Sequence, residues 1–447
     1  MVIRRILGAV HNPAQLVLAA FVTLILVGTA LLSLPFAFDS GIEQPGLLDS
    51  LFWSTSATTV TGLGTVDVAT FSLFGELVLL ALIQLGGFGI MTVGSVLALV
   101  ASRRVGLRQR VLAQAEIGAV DIGELRYLIS AIAKITLLVE SSIAVILFIH
   151  LATTGDTGIG RAAYSAAFHG VSAFNNAGIS LYSDSLTQFV DDPLVVFPIT
   201  AAFVIGGLGF PILVEFRKRV RPRKWSLHTR ITLAATAFLL VVGPLAVLMI
   251  EWTNPGTLGP MGVWDKFQAA WFQGVTPRTA GFNTIDIGAQ REPTINIMTA
   301  LMFIGAGPAS TSGGIKVTTF AVLGFAMWSE VRGDKDINVF NRRLPTGLVR
   351  QAMTIAFLSI GAVFATAVAL TAMSSFHLTD TLFEATSAFG TVGLSTGITG
   401  SLPSAGKFLL ILMMIAGRIG PVTFVTALAL RQRQRAYRFP EERPIIG

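Results

Sequence analysis

A short polar segment with one central glycine occurs four times in this chain, each time between long apolar runs. The copies are Ser56-Ala-Thr-Thr-Val-Thr-Gly-Leu-Gly-Thr65, Ser172-Ala-Phe-Asn-Asn-Ala-Gly-Ile-Ser-Leu181, Val275-Thr-Pro-Arg-Thr-Ala-Gly-Phe-Asn-Thr284 and Ser387-Ala-Phe-Gly-Thr-Val-Gly-Leu-Ser-Thr396. Aligned on Gly62, Gly178, Gly281 and Gly393, each glycine is followed by a large apolar residue: Leu63, Ile179, Phe282 or Leu394. An aromatic residue, Phe52, Phe168, Trp271 or Phe383, stands ten positions before each glycine. The glycines recur roughly every 110 residues, the signature of an internal repeat. A single glycine between apolar runs marks only close helix packing. Four with the same flanks require a shared architecture.

The apolar runs decide the solvent. The chain is 53% hydrophobic and 13% charged, against about 25% charged in a soluble domain. Several windows exceed the ~20 apolar residues that cross a bilayer, so the chain is read as an integral membrane protein. Cysteine is absent, which removes disulfide frameworks, thiolate metal sites and cysteine nucleophiles. The net charge of +7 fits cytoplasmic loops of a membrane protein, and no nucleic acid is implied. Arg4 and Arg5 precede an apolar run over 16–34 without a clear cleavage site, so this run is read as a retained first helix.

Each repeat reads as an outer helix, a short pore helix, the glycine segment and an inner helix. The outer helices are expected near 14–35, 127–152, 229–251 and 349–373, the inner ones near 73–101, 194–217, 295–330 and 406–430. The expected fold is therefore an all-α polytopic membrane protein: four parallel repeats, eight spanning helices, around one central pore. The repeats divide as 1–110, 111–220, 221–335 with a broken inner helix, and 336–430, with a cytosolic tail at 431–447. Arg and Lys cluster before the outer helices (Arg4, Arg5, Arg126, Arg221, Arg223, Arg342, Arg350) and after the inner ones (Arg103, Arg104, Arg217, Lys218, Arg332, Arg431). By the positive-inside rule both ends of every repeat, and both chain termini, are cytoplasmic. Asp49, Asp265 and Asp380 are read as N-caps of three pore helices; the second repeat has Gly160 or Arg161 there instead.

Pore helices that run inward aim their partly negative C-termini at the membrane centre, which favours a cation. Carbonyls beside a glycine bend replace an ion's hydration shell. The expected ion-facing positions are Val60, Thr61 and Gly62; Asn176, Ala177 and Gly178; Thr279, Ala280 and Gly281; Thr391, Val392 and Gly393. No carboxylate lies within two residues of a filter glycine, which argues against an acidic ring. Asp67, Asp184 and Asp286 follow each of the first three filters, where they either concentrate cations or serve as ordinary loop acids.

A second set of glycines predicts a break in every inner helix: Gly86-Gly-Phe-Gly89, Gly206-Gly-Leu-Gly-Phe-Pro211, Gly305-Ala-Gly-Pro-Ala-Ser-Thr-Ser-Gly-Gly314 and Gly417-Arg-Ile-Gly-Pro421. The third is the longest and most polar. Residues 305–317, with Gly305, Gly307, Ser310, Thr311, Ser312, Gly313, Gly314 and Lys316, are read as a loop across the ion path, a candidate gate. Arg418 falls in the register of Gly87 and Gly207. A mid-membrane charge costs about 2.5–3.5 kcal/mol, so Arg418 either faces the pore, repelling cations, or pairs with Glu140 or Glu384. An intramembrane enzyme is disfavoured: there is no His-Glu-x-x-His, no Gly-x-Ser-x-Gly and no phosphate loop. His169, in a pore helix, is read as a packing residue. An organic-solute carrier is the other rival.

The motifs Thr58-Thr-Val-Thr-Gly62, Ser172-Ala-Phe-Asn-Asn-Ala-Gly178, Val275-Thr-Pro-Arg-Thr-Ala-Gly-Phe-Asn283, Ser387-Ala-Phe-Gly-Thr-Val-Gly393 and Gly417-Arg-Ile-Gly-Pro421 together resemble the Trk, Ktr and plant HKT superfamily of potassium transporters. Over nearly the whole chain the resemblance is to pore-forming Ktr subunits of the KtrB type. It implies K+ uptake across a bacterial plasma (inner) membrane, with Na+ as a possible activator. It also implies a homodimer in the lipid bilayer, docked on a cytosolic, nucleotide-binding RCK ring of the KtrA type. It supports Gly305–Lys316 as the intramembrane gating loop and Arg418 as the pore arginine. The tail 431–447 is implied to contact the second protomer. In HKT relatives a serine at the first filter glycine goes with sodium transport, so Gly62 implies potassium. Pro308 departs from the serine expected there.

Overall fold

The chain forms bundled apolar helices interrupted by short helices that end inside the protein. The computed structural model describes residues 13–39, 45–102, 122–154, 158–218 and 220–420. The expectations for Arg4, Arg5, Arg103, Arg104, Arg431, the inner-helix end 421–430 and the tail 431–447 lie outside these residues.

The helices run in four successive sets. The first is α1 (Pro13–Leu32), α2 (Leu47–Thr59) and α3 (Leu73–Ser102); the second is α4 (Ile122–Thr154), α5 (Ile159–Phe174), α6 (Pro193–Leu208) and α7 (Phe210–Arg217). The third is α8 (Leu227–Glu251), α9 (Val263–Val275), α10 (Glu292–Phe303) and α11 (Val317–Arg332). A two-residue hairpin pairs β1 (Asn338–Val339) with β2 (Arg342–Arg343), and the last set is α12 (Thr346–Met373), α13 (Leu378–Gly390) and α14 (Ser404–Ile419). Among the described residues, Leu73–Thr92, Ile129–Thr154, Leu227–Glu251 and Thr346–Met373 are each long and apolar enough to cross a membrane. The pair α6–α7, bent by 99°, makes a fifth if taken as one span. Their outer faces carry bare apolar side chains, such as Leu138, Met249 and Phe357, as lipid contact requires.

The four sets interlock through the apolar residues that flag the repeats. Phe52 and Leu63 of the first set pack in one buried cluster with Phe389 and Leu410 of the last. Phe168 and Ile179 pack with Trp53 and Leu79 of the first. Phe272 and Phe282 pack with Val196 and Phe203 of the second. Phe383 and Leu394 pack with Met298 and Met302 of the third. Each set thus wedges its aromatic and its post-glycine residue into the set before it, and the first closes onto the last. In the third set the fully buried aromatic is Phe272, one position beyond the half-buried Trp271. Lys407 at the start of α14 reaches Asp49 of α2, 3.0 Å away, closing the same seam.

Two expectations are corrected here. The first inner helix is not interrupted at Gly86–Gly89, because α3 runs unbroken from Leu73 to Ser102. Glycine weakens a helix, but a sharp break needs a missing donor or a steric clash, and no proline follows these glycines. The other three inner helices do stop: at Gly209 (φ 96°) before Pro211, at Ile304 before Pro308, and at Gly420 (φ 92°) before Pro421. In the second set the break is at Gly209, inside the expected stretch Gly206–Pro211. Finally, Asp49, Asp265 and Asp380 are not N-caps. The caps are Gly46, Gly262 and His377, none with a side-chain bond, and the acids sit in the first turn. There they still face the positive helix end.

Candidate ion pathway

The four pore helices α2, α5, α9 and α13 end at the glycine segments, and the backbone there repeats a rare pattern. Val60, Asn176, Thr279 and Thr391, each two residues before its glycine, have φ of 56°, 61°, 68° and 50°. The glycines Gly62, Gly178, Gly281 and Gly393 have φ of 93°, 65°, 78° and 93°. Left-handed backbone costs a residue with a Cβ about 1–2 kcal/mol, so four non-glycine residues in that region mark a conformation held from outside. Reversing φ at alternate residues turns successive carbonyls toward one side, instead of the two sides of a strand.

The four segments meet. A methyl group on Gly62 would strike the carbonyl oxygen of Ala177; on Gly178, that of Ala280; on Gly281, that of Val392; on Gly393, that of Thr61. The contacts run from each set to the next and return to the first. Thr61, Ala177, Ala280 and Val392 all immediately precede their glycines, so four equivalent carbonyls surround one axis. A cavity of about 260 Å³ opens over this ring, lined by Gly62, Gly178, Gly281 and Gly393 together with Trp53, Asp67 and Asn283.

What holds the turn is a hydroxyl near the end of each pore helix. The carbonyls of Ser56, Ser172 and Ser387 accept from the N–H of Thr61, Ala177 and Val392 at 2.8, 2.8 and 2.9 Å. These bonds close the helix C-terminus around a left-handed residue. The same serines' hydroxyls accept from Gly62 N (3.0 Å), Ile179 N (3.1 Å) and Gly393 N (3.1 Å). In the third copy Val275 stands in place of the serine, and the next residue, Thr276, donates its hydroxyl to the Phe282 carbonyl at 2.5 Å. The sequence reading did not assign these residues, although a serine six places before the glycine recurs in three copies. Replacing Ser387 by alanine removes the acceptor of the half-buried Gly393 N–H, a loss of about 0.5–1.5 kcal/mol. We expect Rb+ uptake by Ser387→Ala to fall several-fold with little change in expression, measured in cells lacking other potassium transport.

Directly below lies the segment 304–316. Gly305 N donates to Ile315 O (2.8 Å) and Val317 N to Ala306 O (3.0 Å), closing it as a loop between α10 and α11. Its ligands come from the other sets. Gly307 N donates to Gly207 O (2.8 Å) and Gly314 N to Gly417 O (3.2 Å). The Thr311 hydroxyl donates to the Asn176 amide oxygen at 2.8 Å, tying the loop to the second glycine segment. A Cβ on Gly313 would meet the Thr391 side chain. Ser310, Thr311, Ser312, Gly313 and Gly314 are all buried. The expected gate residues are thus brought against the second and fourth segments.

Two cations hold this loop by its own carbonyls. Arg418, 3% exposed, donates to the Thr311 carbonyl through Nη1 and toward Gly86 O through Nη2 at 3.5 Å. Lys316 Nζ donates to Ser312 O (2.6 Å) and reaches Gly313 O at 3.5 Å. Neither Glu140 nor Glu384 pairs with Arg418. Glu140 lies behind the second filter against Gln84 and Asn175, and Glu384 takes hydroxyls from Ser395 and Thr399, the latter at 2.9 Å. The outer acids are locally satisfied: Asp67 accepts from Ala69 N and Asp286 from Gly288 N, both at 2.9 Å, and Asp184 from Thr187. Only Asp67 lines the cavity over the ring; Asp184 and Asp286 line a neighbouring one. His169 is buried and bonded to Ser165 O (2.8 Å) and the Ser180 hydroxyl (3.1 Å), a packing role as expected.

The family model described as TrkH, a cation transport protein, matches residues 5–437. The Ktr system potassium uptake protein B of Bacillus subtilis (strain 168) is 40% identical over 437 residues, covering 98% of this chain and 97% of that protein. The potassium/sodium uptake protein NtpJ of Enterococcus hirae is 31% identical, covering 98% and 97%. Among solved structures, the potassium transporter TrkH of Vibrio parahaemolyticus superposes with a TM-score of 0.73 at 20% identity, over 92% of this chain and 85% of that one. The family match spans nearly the whole chain and a relative at 40% identity aligns end to end with it, so this protein belongs to the TrkH family of cation transport proteins.

Proposed function

We propose that this chain is the pore-forming subunit of a gated potassium-uptake system in a bacterial plasma membrane. The observation that carries the reading is the cyclic contact of Gly62, Gly178, Gly281 and Gly393 with the preceding carbonyls of Ala177, Ala280, Val392 and Thr61. Four carbonyls around one axis replace the water of a monovalent cation, and the names of full-length relatives, Ktr system potassium uptake proteins, favour K+ as that ion. In this reading four parallel repeats, 1–110, 111–220, 221–335 and 336–430, supply eight spans around one pore. Both termini are cytoplasmic, and the tail is 431–447.

The filter is Val60–Gly62, Asn176–Gly178, Thr279–Gly281 and Thr391–Gly393. The loop Gly305–Lys316 and Arg418 form the gate. The bond from Thr311 to Asn176 supports that role, since the loop cannot leave without releasing a filter side chain. The working assembly is a homodimer on a KtrA-like, nucleotide-binding RCK ring, with Na+ as a stimulator. The name of the potassium/sodium relative gives Na+ some support.

The test is K+ and Rb+ uptake in a host without other potassium transport, with and without the cognate RCK subunit and with and without Na+. Expected is saturable Rb+ uptake raised by both additions. Uptake of organic solutes with no Rb+ accumulation would refute the reading.

A further inference from the structure

The second filter is braced from behind by an acid in the middle of a span. Glu140 belongs to α4, near the midpoint of the apolar stretch Ile129–Thr154, and is 6% exposed. A carboxyl group at that depth is costly and is retained for a reason. Its partners are two side-chain amides. Asn175 Nδ2 donates to Glu140 Oε1 at 3.0 Å, and Gln84 Nε2 lies 3.4 Å from Oε2. The Asn175 amide also reaches Gln84 Oε1 at 2.9 Å and Val171 O at 3.0 Å. Three elements therefore converge on one amide: α4, the end of α5, and the unbroken α3.

Asn175 stands two residues before Ala177, whose carbonyl abuts Gly62, and one before the left-handed Asn176. The other buried acids do different work. Glu251 takes Arg291 N, Asn254, Thr257 and Thr294, and Glu384 takes Ser395 and Thr399, so both anchor the chain outside the filter. Equivalent positions to Asn175 are backed otherwise. Thr59 bonds its own helix at Thr55 O (2.7 Å), Arg278 reaches the Thr236 hydroxyl (3.2 Å), and Gly390 has no side chain. Only the second filter, among the described residues, is held by a carboxyl group on an outer helix.

We infer that Glu140 is a positioning residue for ion selection: with Gln84 it fixes Asn175, and through it the carbonyl of Ala177 in the ring. This rests on the transport reading above. Its effect is on discrimination between K+ and Na+, because a carbonyl free to move inward accommodates the smaller ion.

The full chain in proteoliposomes tests this, with Rb+ and Na+ fluxes measured on the same preparation. Rb+ flux through the wild type tests the transport reading; the variant's Rb+/Na+ ratio relative to wild type tests the brace. Glu140→Ala is expected to lower that ratio roughly three- to tenfold, the size of one lost hydrogen bond. Glu140→Gln keeps an acceptor for Asn175 and is expected to stay within about twofold of wild type on the same scale. Asn175→Ala removes the brace from the filter side, leaves α4 intact and should match Glu140→Ala; it decides the question if Glu140→Ala is not recovered folded. An unchanged ratio in a folded Glu140→Ala or Asn175→Ala protein, or equal loss in Glu140→Gln, overturns the inference.

Discussion

Gly178→Ala is expected to abolish Rb+ uptake while leaving a folded protein. A Cβ at this position would lie 2.5 Å from the Gly281 Cα and 2.7 Å from the Ala280 carbonyl oxygen. Both are backbone atoms of the adjoining quarter and cannot rotate away, as the tip of a side chain could. The native φ of 65° adds a penalty of about 1–2 kcal/mol for any residue with a Cβ. The ring must widen on one side, and the ion loses oxygens that replaced its water. A barrier rise of ~3 kcal/mol corresponds to more than a hundredfold in rate, so uptake should fall to background. Gly324→Ala is the control. Nothing lies within 4 Å of its Cβ position in α11, and uptake there should match wild type. Near-normal uptake by Gly178→Ala would show that the ions do not pass this ring.

The opposite change is expected at Arg418. The guanidinium holds the Thr311 carbonyl, and its Nε finds no partner among the described residues. Arg418→Ala removes both the tether of the loop and a fixed positive charge beneath the filter. A unit charge roughly 8 Å from a passing cation, at an effective dielectric near 20, opposes it by about 2 kcal/mol. The flux should therefore rise by about tenfold or more. Arg418→Lys keeps the charge and should leave the flux near wild type. Equal Rb+ flux in Arg418→Ala and wild type, at equal protein, would remove Arg418 from gating.

Much of this site was legible because side chains recur where the backbone must bend. Glycines at matching offsets located the four segments, and the apolar residue after each proved to be a wedge into the neighbouring quarter. The left-handed residues two places earlier were not legible. Val60, Asn176, Thr279 and Thr391 share no side-chain property, and what bends them is the serine or threonine that closes each pore helix. The misreading of Gly86–Gly89 has a simple cause. Glycine permits a break, whereas proline imposes one, and only the other inner helices have proline nearby. Arg418 and Glu140 looked like partners because each is a charge that the membrane should not tolerate alone. Sequence cannot tell that backbone carbonyls satisfy the first and the side-chain amides of Asn175 and Gln84 the second, since these partners lie far from either charge along the chain.

The inequality of the residues behind the four filters has an evolutionary consequence. Thr59, Asn175, Arg278 and Gly390 occupy one equivalent position with four different chemistries. In a channel assembled from identical subunits, a single codon change is stamped onto every side of the ion path at once. In the pore proposed here the same change alters one wall and leaves three as they were. Ion preference can drift in small increments under selection, and a poorly tolerated step in one quarter can be offset by a later step in another.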